Sequence, residues 1–357
     1  MAAPECRTSR GDRLHRRHLL RAAAAAPALA ALPAIVRAQG VEKPKLTIAV
    51  GGKNLLYYLP LTIAETRGYY KEDGLDVTIA DFAGGSRALQ ALVGGSADVV
   101  SGAFEHTINM QVKGQRLRAF ALQGRAPQIV LGINPKTMPN FKSLAELKGK
   151  KLGVTAPGSS TNILANFVLA KVGLKPGDVA IIGIGAGSGA VAAMRAGQID
   201  AISNLDPVIT QLARSGDLRI LSDTRIVAEA DRVFGGPMPA GCLYTQQTFL
   251  DKNPNTAQAL ANAIVRADKW IQGAGPSDII KAVPESYLLG DRAVYVDAFI
   301  AAKGALSPDG MIPEAGAETA RRALASIDPE IASAKIDLAA IWTNDYVKRA
   351  NAKYPKG

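Results

Sequence analysis

The chain has 357 residues, 48% of them hydrophobic, which is enough for two core-bearing lobes. Its net charge of +11 overstates its basicity: residues 1–38 carry seven Arg and no Lys against Glu5 and Asp12, and without them 35 basic residues face 29 acidic ones, a net +6. With no dense Lys/Arg run, that balance argues against nucleic acid as a partner.

Residues 1–38 have the three parts of an export signal. An Arg-rich start from Arg7 to Arg21 precedes an Ala/Leu segment, Ala22 to Ile35, too short to span a bilayer comfortably. Val36-Arg37-Ala38 then offers small residues for cleavage. Arg16-Arg17-His18-Leu19-Leu20 resembles a twin-arginine signal, with an ordinary secretory signal as the alternative. A cytosolic amphipathic helix is the third possibility, opposed by Pro27 and Pro33. Cys6, His15 and His18 fall in this leader, so the mature chain keeps only Cys242 and His106. It can form no internal disulfide and no multi-Cys or multi-His metal site, and any Ser-His-Asp triad would need His106. Cys242, in the apolar run Gly241 to Tyr244, is expected to be a buried small hydrophobe.

The mature chain predicts strands at Leu46–Val50 and Leu75–Ile79, with a helix opened by Pro60 between them. Strands at Ile129–Ile133, Leu152–Thr155, Asp178–Ile184, Leu218–Leu221 and Cys242–Thr245 follow, and then helices, the first with Asn253 as its cap. Strand alternating with helix points to mostly parallel α/β layers. One frame occurs twice. Gly85, Ser86, Ala88, Leu89, Ala91, Leu92, Gly95, Asp98 and Ser101 are matched, 102 residues later, by Gly187, Ser188, Ala190, Val191, Ala193, Met194, Gly197, Asp200 and Ser203. Each copy predicts a glycine turn, a helix, a second glycine turn at positive φ (Gly95, Gly197) and a buried strand. The helices are expected to bury Ala88, Leu89 and Leu92, and Ala190, Val191 and Met194. Two similar lobes imply a cleft, with crossings near Ile133–Lys136 and Val233–Pro239 as a hinge. The expected divisions are 41–134 for the first part of lobe I, 135–236 for lobe II, and 237–357 for a return to lobe I with C-terminal helices.

Ligands of open parallel sheets bind beyond the carboxyl ends of the strands. The loops there contain Asn54, Tyr57, Tyr58, Phe82, Gly85, Ser86, Phe104, Glu105, His106, Gly158, Ser159, Ser160, Thr161, Asn162, Asn204 and Asp206, which form the candidate ligand-binding set. Gly158-Ser159-Ser160-Thr161 is either an anion-receiving helix start or a plain Ser/Thr cap. It lacks the Lys of a phosphate loop, which disfavours nucleotides. The aromatics are expected to hold a planar or apolar body, and the hydroxyls an anionic or strongly accepting end. Glu105 and Asp206 would set selectivity, or would be solvated or capping carboxylates. Inorganic nitrate or sulfate would leave the aromatic part unfilled.

Asn54…Tyr57-Tyr58-Leu59-Pro60-Leu61, Gly68-Tyr69-Tyr70-Lys71-Glu72-Asp73-Gly74-Leu75-Asp76-Val77 and Gly84-Gly85…Ala91-Leu92…Gly95-Ser96-Ala97-Asp98 resemble the nitrate/sulfonate/taurine-type periplasmic substrate-binding proteins. So do Leu144-Ala145-Glu146-Leu147-Lys148-Gly149-Lys150-Lys151-Leu152-Gly153-Val154 and Gly158-Ser159-Ser160-Thr161, so that the resemblance spans Leu46 to Arg266. It implies an α/β, two-lobed fold of the second periplasmic-binding topology, a Venus flytrap with C-terminal helices. It also implies a periplasmic monomer that delivers a small-molecule ligand to the membrane permease and ATPase subunits of an ABC importer, with no cofactor, no metal and no catalytic residues. The superfamily also includes binders of aromatic acids and of thiamine-pyrimidine precursors, and a pyrimidine-precursor synthase branch whose cysteine-rich motif is missing here. A ligand sensor for a membrane receptor is a further possibility.

Overall fold

The computed structural model describes residues 40–356, so the export signal expected over 1–38 lies outside the described residues. Strand β1 (Lys45–Gly51) leads through a single 3-10 turn at Leu56–Tyr58 into α1 (Leu59–Thr66) and α2 (Tyr69–Glu72). Then come β2 (Asp76–Phe82), α3 (Gly85–Val93), β3 (Val99–Ala103), α4 (Glu105–Val112) and β4 (Leu117–Leu122). The second half repeats the theme with β5 (Val130–Ile133), β6 (Lys151–Val154), α5 (Ser160–Ala170), β7 (Ala180–Gly183) and α6 (Ser188–Arg195). It closes with β8 (Ala201–Asn204), α7 (Val208–Arg214), β9 (Arg219–Asp223) and α8 (Val227–Phe234). After β10 (Gly241–Gln246) the chain is helical: α9 (Gln247–Lys252), α10 (Pro254–Gly273), α11 (Pro276–Ala282), α12 (Arg292–Ala302), α13 (Glu314–Ala325), α14 (Pro329–Ser333) and α15 (Asp345–Lys353).

The strands form two five-stranded sheets of matching order, β2-β1-β3-β10-β4 and β7-β6-β8-β5-β9. In the first, β1 pairs in parallel with β2 and β3; in the second, β6 does so with β7 and β8. The fourth strand of each sheet is antiparallel to both neighbours, and each is the strand that has just arrived from the other lobe. The expectation of mostly parallel layers therefore needs this amendment. The first crossing also lies upstream of the expected Ile133–Lys136. Val130–Ile133 is already paired within the second sheet, so the chain passes over at 123–129. The second crossing, through 235–240, lies within the expected Val233–Pro239 stretch except for Ala240. The two crossings are bonded to each other, Ala240 N–H donating to the Gly124 carbonyl at 2.9 Å and Gly124 N–H to that of Gly241 at 3.0 Å.

Central strands are covered on both faces, as in β3, where every residue is buried and all but Ser101 are apolar. The repeated frame is realised in both lobes, with Gly95 at φ 77° and Gly197 at φ 67° ending α3 and α6. The helix in lobe II buries Ala190, Val191 and Met194 as expected, whereas α3 buries Ala88, Ala91 and Leu92 and leaves Leu89 half-buried, packed against the core at the groove wall. Gly51 cannot be replaced cheaply: a Cβ there would lie 2.2 Å from the Gly84 carbonyl carbon and from Gly85 N. β4 had no counterpart among the predicted strands. Asn253 makes no side-chain cap; its Nδ2 donates back to the Phe249 carbonyl at 3.0 Å. The C-terminal helices fold back on the first lobe, α10 packing against α1, α2 and α15, while α13 touches α4, α5 and α8 and so reaches both halves. Among the described residues no helix is long and apolar enough to cross a membrane.

Candidate functional site

The strand-end loops of the two sheets face each other and are bonded directly. Ser86 N–H donates to Ser159 Oγ at 3.0 Å, and Ser86 Oγ–H to the Pro157 carbonyl at 2.9 Å. Asn54 Nδ2 donates to the Ala186 carbonyl at 3.0 Å, and Leu56 N–H to that of Asp206 at 3.1 Å. Gly84 lets the backbones close up, since a Cβ there would stand 2.7 Å from Ala156 Cβ. The two lobes are thus held together across the cleft.

Several of the expected ligand groups are occupied within the protein. The Thr161 hydroxyl serves Thr155 at 2.9 Å, and Asn204 joins the Gly185 carbonyl and its own neighbour Leu205. Gly158 N–H is taken by Asn162 Oδ1 at 3.0 Å, and Gly158 itself turns the loop at φ 80°. Asp206 accepts from Thr210 N–H at 2.9 Å and from Arg225 at 3.0 Å, so it caps α7 and pairs with a buried guanidinium. Burial raises the Asp206 carboxyl above its ordinary value against the pull of Arg225 and Thr210. Arg225, which also holds Asp223 at 2.6 Å, was not among the sequence candidates. Nothing local in the sequence marks it; only the fold brings residues 206, 223 and 225 together.

Among the described residues, a small cavity and a larger groove lie between the lobes. The cavity, of about 10 Å³, is walled by Tyr57, Glu105 and Ser160, by Leu164 and Phe167 of α5, and by Met238 of the second crossing. Phe167 stacks on Phe234 at 4.9 Å behind it. Beside it runs a groove of about 900 Å³ between α3, α4, α5 and α14, with Ser86, His106, Gly158 and Asn162 on its walls. Ile163 and Leu324 line both spaces. Leu89, Leu324 and the α14 residues were missed from sequence because they lie outside the strand-end loops.

The expected aromatic bed is only partly there. Tyr57 and Tyr58 meet edge to face at 4.8 Å, and Tyr57 reaches the cavity. Phe104 is fully buried, Phe82 is half-buried, and neither lines the cavity or the groove. The physical reason is the turn into α4: Phe104 N–H is bonded to the Ala240 carbonyl at 2.9 Å, which draws its ring into the core. Gly85 lies under His106, its missing Cβ 3.4 Å from the ring.

Two titratable groups follow Phe104 in the first turn of α4. Burial pushes the Glu105 carboxyl up to about 7, its own backbone N–H opposing the shift. Burial lowers the His106 imidazole to about 4, the Gly158 backbone opposing. His106 Nδ1 is 3.1 Å from the Tyr244 hydroxyl, and its Nε2 has no partner in the protein. Asn162 Nδ2 on the opposite wall is also without one. Cys242 is buried, as expected. Among the described residues no three His, Cys, Asp or Glu side chains could hold a metal ion together.

Residues 39–283 match the NMT1-like family. A solved structure from Bordetella bronchiseptica RB50 is 64% identical, superposes with a TM-score of 0.88, and covers 89% of this chain and 100% of that one. The alkanesulfonate-binding protein SsuA from Xanthomonas axonopodis, bound to MOPS, shares the fold at a TM-score of 0.66 with 20% identity, over 85% of this chain and 99% of that one. A candidate binding protein of Bacillus subtilis, YtlA, is 24% identical over 238 residues, 65% of this chain and 68% of its own. The 4-amino-5-hydroxymethyl-2-methylpyrimidine phosphate synthase THI13 of Saccharomyces cerevisiae is 26% identical over 237 residues, 64% of this chain and 67% of its own.

Proposed function

The chain belongs to the NMT1-like family and has the fold of periplasmic binding proteins, and on that premise we propose that it is the solute-binding component of an ATP-driven importer. It works outside the inner membrane and hands an organic solute from its interlobe cleft to a permease. The observation that carries this is the pair of bonded crossings beneath a cleft whose lips, Ser86 and Ser159, are joined at 3.0 Å. Such a body opens and closes about two strands. The solute is an apolar or aromatic-heterocyclic compound, because the groove that has room for it is walled in part by Leu89, Met110, Ile163, Leu324 and Ile331, and the small cavity beside it mainly by hydrocarbon and ring. The lobes comprise the two sheets with their helices, and the chain acts as a monomer.

The test is to purify the exported protein, release bound small molecules by denaturation and identify them by mass spectrometry. The recovered compound, added back, should lower the radius of gyration in solution scattering and raise the melting temperature. Superposable scattering curves with and without it would count against the proposal.

The likeness to the yeast synthase favours a second reading, an enzyme on the same scaffold. Its distinguishing result would be chemical change of the recovered compound on incubation with the protein, where a carrier returns it unchanged.

A further inference from the structure

Glu105 is the one ionisable carboxyl in the wall of the cleft cavity, 4% exposed at the first position of α4. Tyr57, Ser160, Leu164, Phe167 and Met238 line the cavity with it. No Lys, Arg or His lines that cavity among the described residues. The adjoining groove has a single Lys, Lys113, just beyond the opposite end of α4 from Glu105. Arg225 is already held by Asp206 and Asp223. The Ser159 and Thr161 hydroxyls are engaged with Ser86 and Thr155.

A carboxyl taken out of water without a counter-ion is costly unless something pairs with it. An anion entering this cavity would find no Lys, Arg or His to receive it, and above pH 7 it would also meet the ionised Glu105. An N–H donor would give the carboxyl a partner beyond its own backbone N–H, as a charge-assisted hydrogen bond. Resting on the binding-protein reading above, we propose that the transported solute carries an N–H-donating head, a protonated amine, amidinium or amino-heterocycle, on an apolar body, and that Glu105 reads that head. The expectation of an anionic end at Ser159–Thr161 is replaced by this one. The cavity of about 10 Å³ has room for a group of about one water's size, so only the N–H end of the head enters it and the body lies in the groove of about 900 Å³, which shares Ile163 and Leu324 with the cavity.

Four probes with one phenyl body separate the cases: benzamidine, benzylamine, benzoate and benzenesulfonate, each at millimolar concentration with the mature chain. Benzamidine or benzylamine should raise the melting temperature by a few degrees, and the two anions should not. Glu105→Gln should fold, as judged by far-UV circular dichroism, and lose at least tenfold in affinity for the cations, with Glu105→Asp in between. Stabilisation by either anion, no stabilisation by either cation, or an unaltered affinity in Glu105→Gln would overturn the inference. An anion that binds and also contracts the radius of gyration would overturn it while leaving the binding-protein reading standing. Failure of the compound recovered from the protein itself to contract it would strike that reading instead.

Discussion

Glu105 and His106 are adjacent, buried in the same turn, and titrate in opposite senses. The Glu105 carboxyl rises from 4.5 to about 7, so the folded protein holds that proton more tightly than the unfolded chain. Its contribution is intact below pH 4.5 and is lost as pH rises through 7, by about 3 kcal/mol. The His106 ring falls from 6.5 to about 4, so its contribution is intact above pH 6.5 and is lost as pH falls through 4, again by about 3 kcal/mol. Their sum favours a stability maximum near pH 5–6. Denaturant unfolding from pH 4 to 8 should show Glu105→Gln gaining on wild type as pH rises, and His106→Gln gaining as it falls. Parallel curves would refute these assignments. The titratable neighbours are Tyr57, Tyr58, Cys242 and Tyr244, all raised by burial and neutral through this range. The sequence made Glu105 and His106 visible as strand-end residues, but not their burial, which follows from Phe104 being drawn inward by Ala240.

The repeated frame shows what can be read from sequence at the level of elements and what cannot. Asp98 and Asp200 hold equivalent places and share one task, to which Asp98 adds an ion pair with Lys43. Asp98 accepts from Thr47 N–H at 2.9 Å and Asp200 from Lys151 N–H at 3.0 Å, each fastening a parallel strand of its sheet. Asp98→Ala and Asp200→Ala should each cost about 1.5 kcal/mol or more in urea unfolding, and a loss from only one would mean that the repeat is not symmetrical in energy. Ser101 and Ser203 also match in position but not in role: Ser101 bonds Gln123 of the first crossing at 2.7 Å, and Ser203 bonds the Thr161 carbonyl at 2.7 Å. Helices and glycine turns were legible because their signals are local. β4 and the edges of the crossing strands were not, because antiparallel partners far off in sequence define them. Residues of α13 and α14 reach the groove by packing alone, which no periodicity announces.

For the whole molecule, closure depends on how nearly the two backbones can approach at Gly84. Gly84→Val would place side-chain carbon where Ala156 Cβ now lies, so it should hold the lobes apart, enlarge the radius of gyration and abolish ligand-induced contraction. A variant that still contracts would show that the lips are not the limit on closure. Gln128 stands in the first crossing at φ 59° with its side-chain amide unbonded within the protein. The crossings have one more effect, on the order in which the molecule is made. β10 separates β3 from β4, yet it is synthesised only after the entire second sheet. Until residue 246 has left the ribosome, β3 has one bare edge and β4 has no strand to join. The N-terminal half is therefore an unfinished object for half of its birth, and the second sheet, whose strands are contiguous from β5 to β9, is the one able to assemble first. A chain stopped short of residue 241 should expose β3 and β4 to pairing with other copies of itself rather than persist as a free-standing lobe.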